Sequence, residues 1–368
     1  MSLSVGIVGL PNAGKSTLFN ALTRAHVPVG AFPFTTIDPN TGVVAVPDDR
    51  IRQLAEIFSP PKVIPATVTF TDIAGLVRGA HSGEGLGNQF LGHIRSADAI
   101  AFVLRAFTAS EVSHVEGGVD PLRDLEILEL ELALADLATV DRRLERSGKT
   151  TRAGAAPRQL QAEVSGLTKV RQALDQGLPA RRVSLSVEEE VGVREAQLLT
   201  AKPVIFVGNV DEDELAGDLA AGPAGRIAAR AAEEGADFVP VCAKLEAELS
   251  ELEPEEAAEF LSGLGLSEGG LGRLSRAGYH ALSLLTFFTA GEKEVRAWTV
   301  ARGGNARDAA GVIHTDFAKG FIRAEVCGWE ELVQAGSYAA VRERGQRRLE
   351  GRDYLVQDGD VVHFLFNV

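Results

Sequence analysis

The stretch SVGIVGLPNAGKSTLFNAL, residues 4–22, decides the fold of this chain. Its first residues form a short apolar run, which predicts a buried strand. The eight residues from Gly9 to Ser16 match GxxxxGK followed by Ser or Thr, and Leu18 and Leu22 then follow at helical spacing. Strand, glycine-rich loop and helix thus occur in the order that a phosphate-binding P-loop requires. The sequence therefore predicts an α/β domain with a phosphate site behind its first strand.

The P-loop supplies most of the expected nucleotide contacts. Its glycines let backbone N–H groups approach phosphate oxygens, while the N-terminus of the following helix adds partial positive charge. We expect Lys15 to reach the β- and γ-phosphates as a catalytic group, and the Ser16 hydroxyl to bind Mg²⁺. The P-loop residues expected to bind the nucleotide are Asn12, Ala13, Gly14, Lys15, Ser16 and Thr17.

Two later segments complete the phosphate end of the site. A second hydroxyl ligand for Mg²⁺ can come from Thr35 or Thr36 in AFPFTTIDPN, and we favour Thr36 over a purely turn-capping role. Asp72 ends a predicted strand and is expected to hold Mg²⁺ through water. Gly75 is expected to bring its backbone N–H to the γ-phosphate, at the start of a glycine-rich switch segment that orders around that phosphate.

The position that orients the attacking water in Ras-type GTPases is occupied by Leu76 instead of glutamine. Because leucine cannot hydrogen-bond water, the sequence predicts slow intrinsic turnover unless another group positions the water. His114, whose side chain titrates near neutral pH, is a candidate catalytic group. An ordinary loop histidine is an equally supported interpretation of this residue.

The base end of the site follows the predicted strand in KPVIFVGNVDEDE, residues 202–214. A guanine-specific site needs Asn-Lys-x-Asp, whereas this chain has Asn209, Val210, Asp211 and Glu212. The extra methylene of Glu212 displaces the carboxylate that would pair with guanine, and Asn209 can accept a hydrogen bond from the 6-amino group of adenine. We therefore expect Asn209 and Glu212 to favour ATP over GTP. Use of both ATP and GTP is the alternative.

A second base-side turn is predicted after the strand in GADFVPV. There, Cys242, Ala243 and Lys244 stand in the place of the Ser-Ala-Lys of related sites. We expect the backbone N–H groups of this turn to contact the base. All three residues therefore join Asn209, Val210 and Glu212 in the predicted base site.

These motifs together carry a resemblance that covers nearly the whole chain. GLPNAGKST, PFTTIDPN, DIAGLVRGAHSGEGLGNQFL and NVDE resemble the YchF subfamily of Obg-like ATPases. The resemblance implies a TRAFAC-class P-loop hydrolase with Mg²⁺, ATP preferred over GTP, and ribosomes as the partner. It also implies a base-contacting aromatic, for which Phe107 is the match, and allows a monovalent cation such as K⁺ near Asn12. Residues 105–117 are less acidic than the family's sequence, although His114 falls where the family has a histidine.

Residues 121–200 interrupt the nucleotide-binding domain with a predicted antiparallel helical coiled coil. Two apolar seams with matching steps support it. The stretch that joins the seams is strongly basic, so it is a candidate contact for ribosomal RNA on an otherwise acidic protein, with a solvated charged loop as the alternative. The seam residues are Leu130, Leu134, Leu137, Val140 and Leu144 in the first helix and Leu160, Val164, Leu167, Val170 and Leu174 in the second.

The last part of the chain, residues 284–368, changes to strand-like alternation separated by turn signals. A small β-grasp domain fits this mixed pattern, and the resemblance identifies it as a TGS domain. The run RERGQRRLEGR gives it a second basic patch. The expected architecture is thus a doubly wound, GTPase-like P-loop domain from residues 1–120 and 201–283, with the helical insertion between them and the β-grasp domain at the end.

Composition limits the remaining possibilities. With 45% hydrophobic residues and no apolar run of membrane-spanning length, we expect a globular protein without a membrane span, and the first residues do not form a signal peptide. The cysteines Cys242 and Cys327 have no metal or disulfide spacing, so we expect reduced thiols in a cytosolic protein. A net charge of −14 argues against coating of DNA, and we expect a monomer.

Two functions from different classes follow from these observations. The first is a cytosolic Mg²⁺-dependent ATPase that works as a slow nucleotide-state switch on ribosomes. The second is a ribosome- or RNA-binding module in which the nucleotide is structural and hydrolysis incidental. A true Obg-type GTPase remains open if Glu212 can pair with guanine.

Overall fold

The computed structural model describes residues 3–24, 41–73, 86–108, 118–151 and 157–367 of the 368-residue chain. The described residues divide into two compact units. The N-terminal unit contains residues 3–24, 41–42, 69–73, 86–108, 118–151 and 157–271. The C-terminal unit contains residues 43–68 and 272–367.

The elements of the described residues alternate between strands and helices along most of the chain. The strands are β1 (Ser4–Val8), β2 (Thr41–Ala45), β3 (Val63–Ile64), β4 (Thr67–Asp72), β5 (Ala99–Arg105), β6 (Val204–Asn209), β7 (Asp237–Val241), β8 (Leu284–Ala290), β9 (Val295–Ala301), β10 (Phe321–Gly328), β11 (Arg348–Glu350) and β12 (Asp360–Phe366). The helices are α1 (Lys15–Arg24), α2 (Asp49–Phe58), α3 (Leu86–Ser96), α4 (Pro121–Thr151), α5 (Arg158–Asp175), α6 (Val187–Arg194), α7 (Glu212–Leu215), α8 (Pro223–Glu234), α9 (Ala243–Leu249), α10 (Pro254–Gly263), α11 (Gly270–Ala281), α12 (Ala306–Ile313), α13 (Thr315–Lys319), α14 (Trp329–Ala335) and α15 (Tyr338–Glu343). None of these helices has the length and apolar composition that a bilayer crossing requires.

The first sheet has the strand order β2-β4-β1-β5-β6-β7. Strand β1 runs parallel to β4 and β5, and the parallel pairing continues through β6 to β7. Strands β5 and β6 are buried along their whole length, as expected where helices cover both faces of a parallel sheet. The carboxyl ends of these strands share one edge, where ligands bind in open α/β sheets. The predicted GTPase-like α/β fold is thereby confirmed.

The helical insertion lies within the N-terminal unit and pairs α4 with α5 in antiparallel directions. Arg143 bonds Glu163 at 2.9 Å, while Asp141, earlier in α4, accepts a bond of 2.7 Å from Arg171, later in α5. The predicted seam holds at Val140, Leu167 and their buried neighbours. It is wrong at Leu130, which is 56% exposed. The first turns of α4 instead bury Leu125, Leu128 and Leu132 in the core of the first sheet, because this part of the helix packs on the α/β domain.

The insertion contains a third helix that the sequence pattern did not reveal. Helix α6 packs on α5 and begins with a capping box at Ser186 and Glu189. A Cβ atom at Gly192 would lie 2.7 Å from the Cα of Glu163, so only glycine allows the two helices to approach this closely. Glu189 also bonds Lys169 at 2.7 Å and so connects the cap to α5.

The C-terminal unit is built on the second sheet, with the strand order β11-β10-β12-β8-β9-β3. Strands β8 and β9 form an antiparallel hairpin, and β12 pairs antiparallel with β10 and parallel with β8. Helix α12 packs Ala306, Ala309 and Ala310 against one face of this sheet around Phe287 and Phe364. This mixed sheet agrees with the separate C-terminal α/β domain that the sequence predicts.

One segment of the C-terminal unit comes from far upstream in the chain. The sequence places all of residues 1–120 in the nucleotide-binding domain, whereas residues 43–68 belong to the C-terminal unit. Strand β3 adds Val63 beside Val295 of β9 in parallel register, and α2 buries Ile51 and Leu54. The two-residue strand is too short for an alternating pattern, so the sequence carries no signal for this exchange.

Arg50 is the main polar anchor of this upstream segment. Its guanidinium bonds Asp48 at 2.8 Å and Asp358 at 2.6 Å, and its carbon lies 5.3 Å from the centre of the Phe288 ring. Asp358 also accepts a bond from the backbone N–H of Thr286 in β8. Arg50 therefore connects α2 to Phe288 in β8 and to Asp358 in the loop before β12.

Replacing Arg50→Ala is expected to lower the free energy of unfolding of the C-terminal unit by about 2 kcal/mol, because bonds to a half-buried charged group are lost and Asp358 loses its cation. Calorimetric unfolding of the full chain measures this change. The matched control is Arg52→Ala, whose exposed side chain pairs with Asp49 at 3.3 Å and is expected to change the free energy by less than about 0.5 kcal/mol. Equal effects of the two variants would contradict the anchoring role of Arg50.

Candidate nucleotide-binding site

The P-loop connects β1 to α1 at the carboxyl edge of the first sheet. Its turn places Asn12 at φ 64° and Gly14 at φ 92°, so the backbone takes left-handed conformations on both sides of Ala13. A Cβ atom at Gly14 would lie 2.1 Å from the side-chain nitrogen of Asn209. Glycine is therefore required at position 14 both by the backbone angle and by this close approach.

Lys15 lies buried at the start of α1. Its amino group donates a hydrogen bond of 2.8 Å to the backbone carbonyl of Leu10, which holds the side chain across the loop. Burial lowers the pKa of Lys15 to about 8, and the Asp72 carboxylate opposes this shift. Burial in turn raises the pKa of Asp72, with Lys15 opposing the rise. An added anion would stabilise the charged form of Lys15, which is the property that a phosphate-binding lysine needs.

The lowered pKa of Lys15 predicts a pH dependence of nucleotide binding. Below about pH 8 the free protein holds Lys15 protonated, and above it the proton must be taken up when phosphate binds. The dissociation constant for ATP is therefore expected to rise above pH 8, and to be on the order of tenfold higher at pH 9 than at pH 7. Fluorescence titration across this range measures the effect. Lys15→Arg, whose side chain stays charged, is expected to give a flat profile, and a flat profile in the unmodified protein would contradict the prediction.

The oxygen groups of Ser16 and Asp72 fit a Mg²⁺ ion. Ser16 is exposed in the first turn of α1, and Asp72 is half-buried at the end of β4, paired in register with Ile7 of β1. The described residues contain no cluster of three or more His, Cys, Asp or Glu that could hold a metal. Few protein ligands are typical of Mg²⁺, which keeps several waters and takes phosphate oxygens. Thr36, the third predicted ligand, lies outside the described residues.

Asn209 connects the two ends of the site. Its side-chain nitrogen donates to the carbonyl of Ala13 in the P-loop at 3.0 Å, and its side-chain oxygen accepts from the backbone N–H of Ala243 at 3.0 Å. Its own carbonyl accepts from Ala106, just after β5. The residue is only 5% exposed. The base-reading role that the sequence suggests for Asn209 stays a prediction beside the bridging role that these contacts establish.

The neighbouring residues of the tetrapeptide differ in environment. Val210 is 2% exposed and packs in the core of the first sheet, and its N–H donates to Val241 at 2.8 Å. Glu212 is exposed as the first residue of α7. Asp211, which sequence reasoning passed over, accepts bonds from both the backbone N–H and the hydroxyl of Thr108. Asp211 therefore fixes the loop after β5, and Glu212 is the carboxylate left at the surface.

The predicted aromatic contact, Phe107, lies in that same loop. The guanidinium carbon of the buried Arg105 lies 4.5 Å from the centre of the Phe107 ring, and the Arg105 Nε donates to the Phe107 carbonyl at 3.4 Å. Arg105 pairs in register with Asn209 in the sheet. The structure thus brings Phe107 and Asn209 to the same edge. Sequence reasoning did not single out Arg105, although a charged residue at the end of an apolar strand was a signal for it.

The turn at Cys242 closes the base end. Cys242 is buried, and burial raises the pKa of its thiol, so it is no reactive thiolate. Ala243 is buried and donates to Asn209, whereas the Lys244 side chain is exposed beside Glu248. The backbone N–H of Ala243 is therefore already used within the protein. Contacts of Cys242, Ala243 and Lys244 with a base remain predictions.

Two predicted catalytic residues, Gly75 and His114, lie outside the described residues, as does Leu76. The structure therefore brings together Asn12 to Thr17, Asp72, Phe107, Asn209 to Glu212 and Cys242 to Lys244 at one edge of the sheet. The roles of Gly75 and His114 remain as the sequence predicts them.

The fold and these motifs agree with known proteins. Residues 4–138 match a family model described as a 50S ribosome-binding GTPase, and residues 284–367 match the model YchF-GTPase_C, described as a protein of unknown function. The chain is 50% identical to a Bacillus subtilis protein named ribosome-binding ATPase YchF, and 40% identical to a Buchnera aphidicola protein of the same name, each over the full length of both chains. The solved structure of the Schizosaccharomyces pombe YchF GTPase superposes with a TM-score of 0.87 at 39% identity, covering 99% of this chain and 98% of that one.

Proposed function

The chain belongs to the YchF family, and from this membership we propose that it is a Mg²⁺-dependent P-loop ATPase that acts in the cytosol as a slow nucleotide-state switch on ribosomes. The observation that carries the proposal is the buried Lys15, held across the P-loop opposite Asp72. Asn209 joins the same loop to the base end through its bonds to Ala13 and Ala243. The full-length relatives named ribosome-binding ATPases support the reaction and the partner.

The reaction proposed is in-line attack of water on the γ-phosphate. Lys15 binds the β- and γ-phosphates and offsets the charge that builds up there, and the P-loop N–H groups orient the chain of phosphates. Mg²⁺, bound by Ser16, Thr36 and Asp72, would supply further charge neutralisation. Gly75 reports the presence of the γ-phosphate through its N–H, and His114 positions the water in place of the missing glutamine. Leu76 makes the intrinsic turnover slow.

The preference for ATP is proposed from the two residues that differ from a guanine site. Val210 packs in the core, so no lysine stem is available to cover a base. Glu212 keeps a carboxylate at the position of the guanine-pairing aspartate, but one methylene further from the backbone. Thr108 and its loop are held by Asp211, which leaves Glu212 as the group that sets the fit to the base.

Glu212→Asp is expected to lower the ratio of ATP to GTP affinity by about tenfold, because the shorter side chain restores the paired contact with guanine. Titration with fluorescent ATP and GTP analogues in Mg²⁺ measures both constants. Asp213→Ala, at an exposed position of the same short helix, is the matched control and is expected to leave the ratio unchanged. Val210 is left intact, because a lysine there would bury an ammonium group in the core.

Two results would contradict the base assignment. An unchanged ratio in Glu212→Asp would mean that another residue selects the base. Equal or tighter binding of GTP by the unmodified protein would place it with the ordinary GTPases, and the Schizosaccharomyces pombe relative is itself named a YchF GTPase.

A nucleotide-stabilised ribosome- or RNA-binding module is the second candidate, and the C-terminal unit provides the observation for it. Arg342, Arg344 and Arg352 are exposed in the predicted basic patch. Arg347 and Arg348 of the same patch are paired with Glu325 and Asp360. The patch is therefore smaller than the sequence implies but still presents cations to a phosphate backbone.

Within the described residues, two arginines of the predicted basic tip are also paired. Arg143 bonds Glu163 and lies 3.7 Å from Glu195, and Arg158 lies 3.3 Å from Glu188. Glu188 lies in α6 and Glu195 follows directly after it, in a helix that the sequence pattern did not reveal. We therefore propose the C-terminal patch before the insertion tip as the RNA contact.

A further inference from the structure

A groove of about 1050 Å³ lies within the N-terminal unit, away from the nucleotide residues described above. The C-terminal end of α3 forms one side and α6 of the insertion forms the other. The segment that leads into β6, around Lys202, closes its end. A groove of this volume is large enough for several side chains of a partner, since pockets for small ligands measure roughly 300–1,000 Å³.

The α6 side of the groove is apolar and continues onto the surface. Val183, Leu185 and Val193 line it. Val187 is 75% exposed and Val191 is 57% exposed one turn later. The spacing of these two valines places them on one face of α6, and Glu190 and Arg194 follow on that face. These two exposed valines form a small apolar patch beside the groove.

The α3 side of the groove is cationic. The side-chain amino group of Lys202 donates to the carbonyl of Arg95, near the end of α3, at 3.1 Å, and to that of Ala97, just after the helix. The Nε atom of Arg95 is buried and has no hydrogen-bond partner within the described residues. Burial lowers the pKa of the Lys202 amine, Asp98 opposes that shift, and Arg95 adds to it. Two cations and one carboxylate therefore share this wall.

Two acidic side chains, Asp98 and Glu190, line the groove against four basic ones, Arg95, Arg181, Arg194 and Lys202. Asp98 accepts a bond from the backbone N–H of Ser4 at 2.9 Å. Arg181 is fully committed to Glu129 and Glu234. Arg194 has no ion-pair partner among the residues that the structure describes. Burial raises the pKa of the Asp136 carboxyl and Arg95 opposes that rise, so the charge of Arg95 is already partly offset within the protein. Arg194 is thus left for an external anion, on a protein whose net charge is −14.

We propose that this groove binds an acidic, amphipathic segment of a partner protein. Its carboxylates would pair with Arg194 and face the excess of basic side chains in the lining, and its apolar side chains would cover Val187 and Val191. A protein segment fits better than RNA, because the two exposed valines need apolar cover.

Binding at this groove has a direct route to the nucleotide. Helix α3 begins at Leu86, immediately after the glycine-rich segment that the sequence assigns to sensing the γ-phosphate. A partner that holds the C-terminal end of α3 therefore holds the element that follows this segment. Because the partner is sought on ribosomes, this inference rests on the proposed function.

The experiment places the photoreactive residue p-benzoylphenylalanine at Val191 and irradiates the ATP-bound protein with purified ribosomes. The expected product is a crosslink to an acidic segment of a ribosomal protein, resistant to ribonuclease and digested by protease. The matched control carries the same residue at Phe260, an exposed position of α10, and is expected to give at most a tenth of that yield.

Charge reversal completes the test. Arg194→Glu is expected to reduce the crosslink at least tenfold with unchanged affinity for ATP, and Arg182→Glu, an exposed neighbour that does not line the groove, is expected to leave it unchanged. Cosedimentation with ribosomes without a protein crosslink, or a crosslink removed by ribonuclease, would overturn the groove proposal alone. Absence of cosedimentation in every nucleotide state would overturn the proposed function together with it.

Discussion

Lys15→Ala is expected to slow ATP hydrolysis by about 10²–10³-fold, the loss that follows removal of one preorganised group stabilising a developing charge. Lys15 is the cation that the P-loop buries against Asp72 and fixes to the carbonyl of Leu10. The alanine variant keeps the loop glycines and the helix N-terminus, so residual phosphate binding remains. Single-turnover hydrolysis with saturating ATP separates the rate from the affinity.

The control for the Lys15→Ala variant is its thermal stability. Because burial disfavours the charged Lys15 in the free protein, its removal is expected not to lower the melting temperature of the nucleotide-free chain at pH 7. The unfolded chain keeps the Lys15 proton up to its ordinary pKa of 10.5, whereas the folded chain keeps it only up to about pH 8. Below pH 8 both states are charged, and the burial of that charge opposes folding. A variant that melts much lower would attribute the lost rate to misfolding.

The same variant separates a switch from a binding module. If the protein is a switch, the unmodified chain associates with ribosomes differently in ATP and ADP, and Lys15→Ala loses that difference. If association ignores the nucleotide in both proteins, the module is the correct function and hydrolysis is incidental. Sedimentation with purified ribosomes distinguishes the two.

Asn209→Ala is expected to lower the free energy of unfolding by about 2–5 kcal/mol, because the Ala13 carbonyl and the Ala243 N–H lose their partner in a buried place. It is also expected to weaken ATP and GTP binding by the same factor, at least tenfold. Both effects come from separating the P-loop from the turn after β7. Chemical denaturation and nucleotide titration measure them.

The matched control is Asn20→Ala, on the exposed face of α1, for which we expect a change below about 0.5 kcal/mol. A loss confined to ATP, with GTP binding intact, would contradict the bridging role and would mean that Asn209 reads adenine directly. A comparison of the ATP and GTP affinities of Asn209→Ala therefore distinguishes the bridging role found in the structure from the base-reading role predicted from the sequence.

The phosphate end was predictable because its signals are local. The P-loop needs a strand, two glycines, a lysine and a helix within about twenty residues, and each contributes through backbone geometry that the residue type dictates. Asp72 was predictable for a related reason, since the carboxyl ends of parallel strands meet at one edge. Lys15 and Asp72 accordingly lie where the sequence places them.

The remaining features depend on contacts between distant residues. Nothing near Asn209 in the chain indicates that its amide holds Ala13, 196 positions earlier. Leu130 fits the seam by spacing, yet this end of α4 packs its neighbouring leucines into the α/β core and so leaves Leu130 exposed. Helix α6 is short, and its two exposed valines remove the amphipathic pattern that reveals a helix. The sequence therefore predicts the chemistry of the site better than the packing that supports it.

Because residues 43–68 pack with residues 272–367, this segment cannot complete its fold until the end of the chain has been synthesised. This segment leaves the ribosome early, but the strands β8 and β9 that receive it are encoded more than 200 residues later. At synthesis rates of about 5–20 residues per second, α2 and β3 must wait roughly 10–40 s without the sheet that completes them. During that interval Ile51 and Leu54 have no native cover. A nascent chain of this protein is therefore most exposed to aggregation and to chaperones before its last hundred residues emerge, and an isolated fragment of residues 284–368 lacks one edge strand of its own sheet.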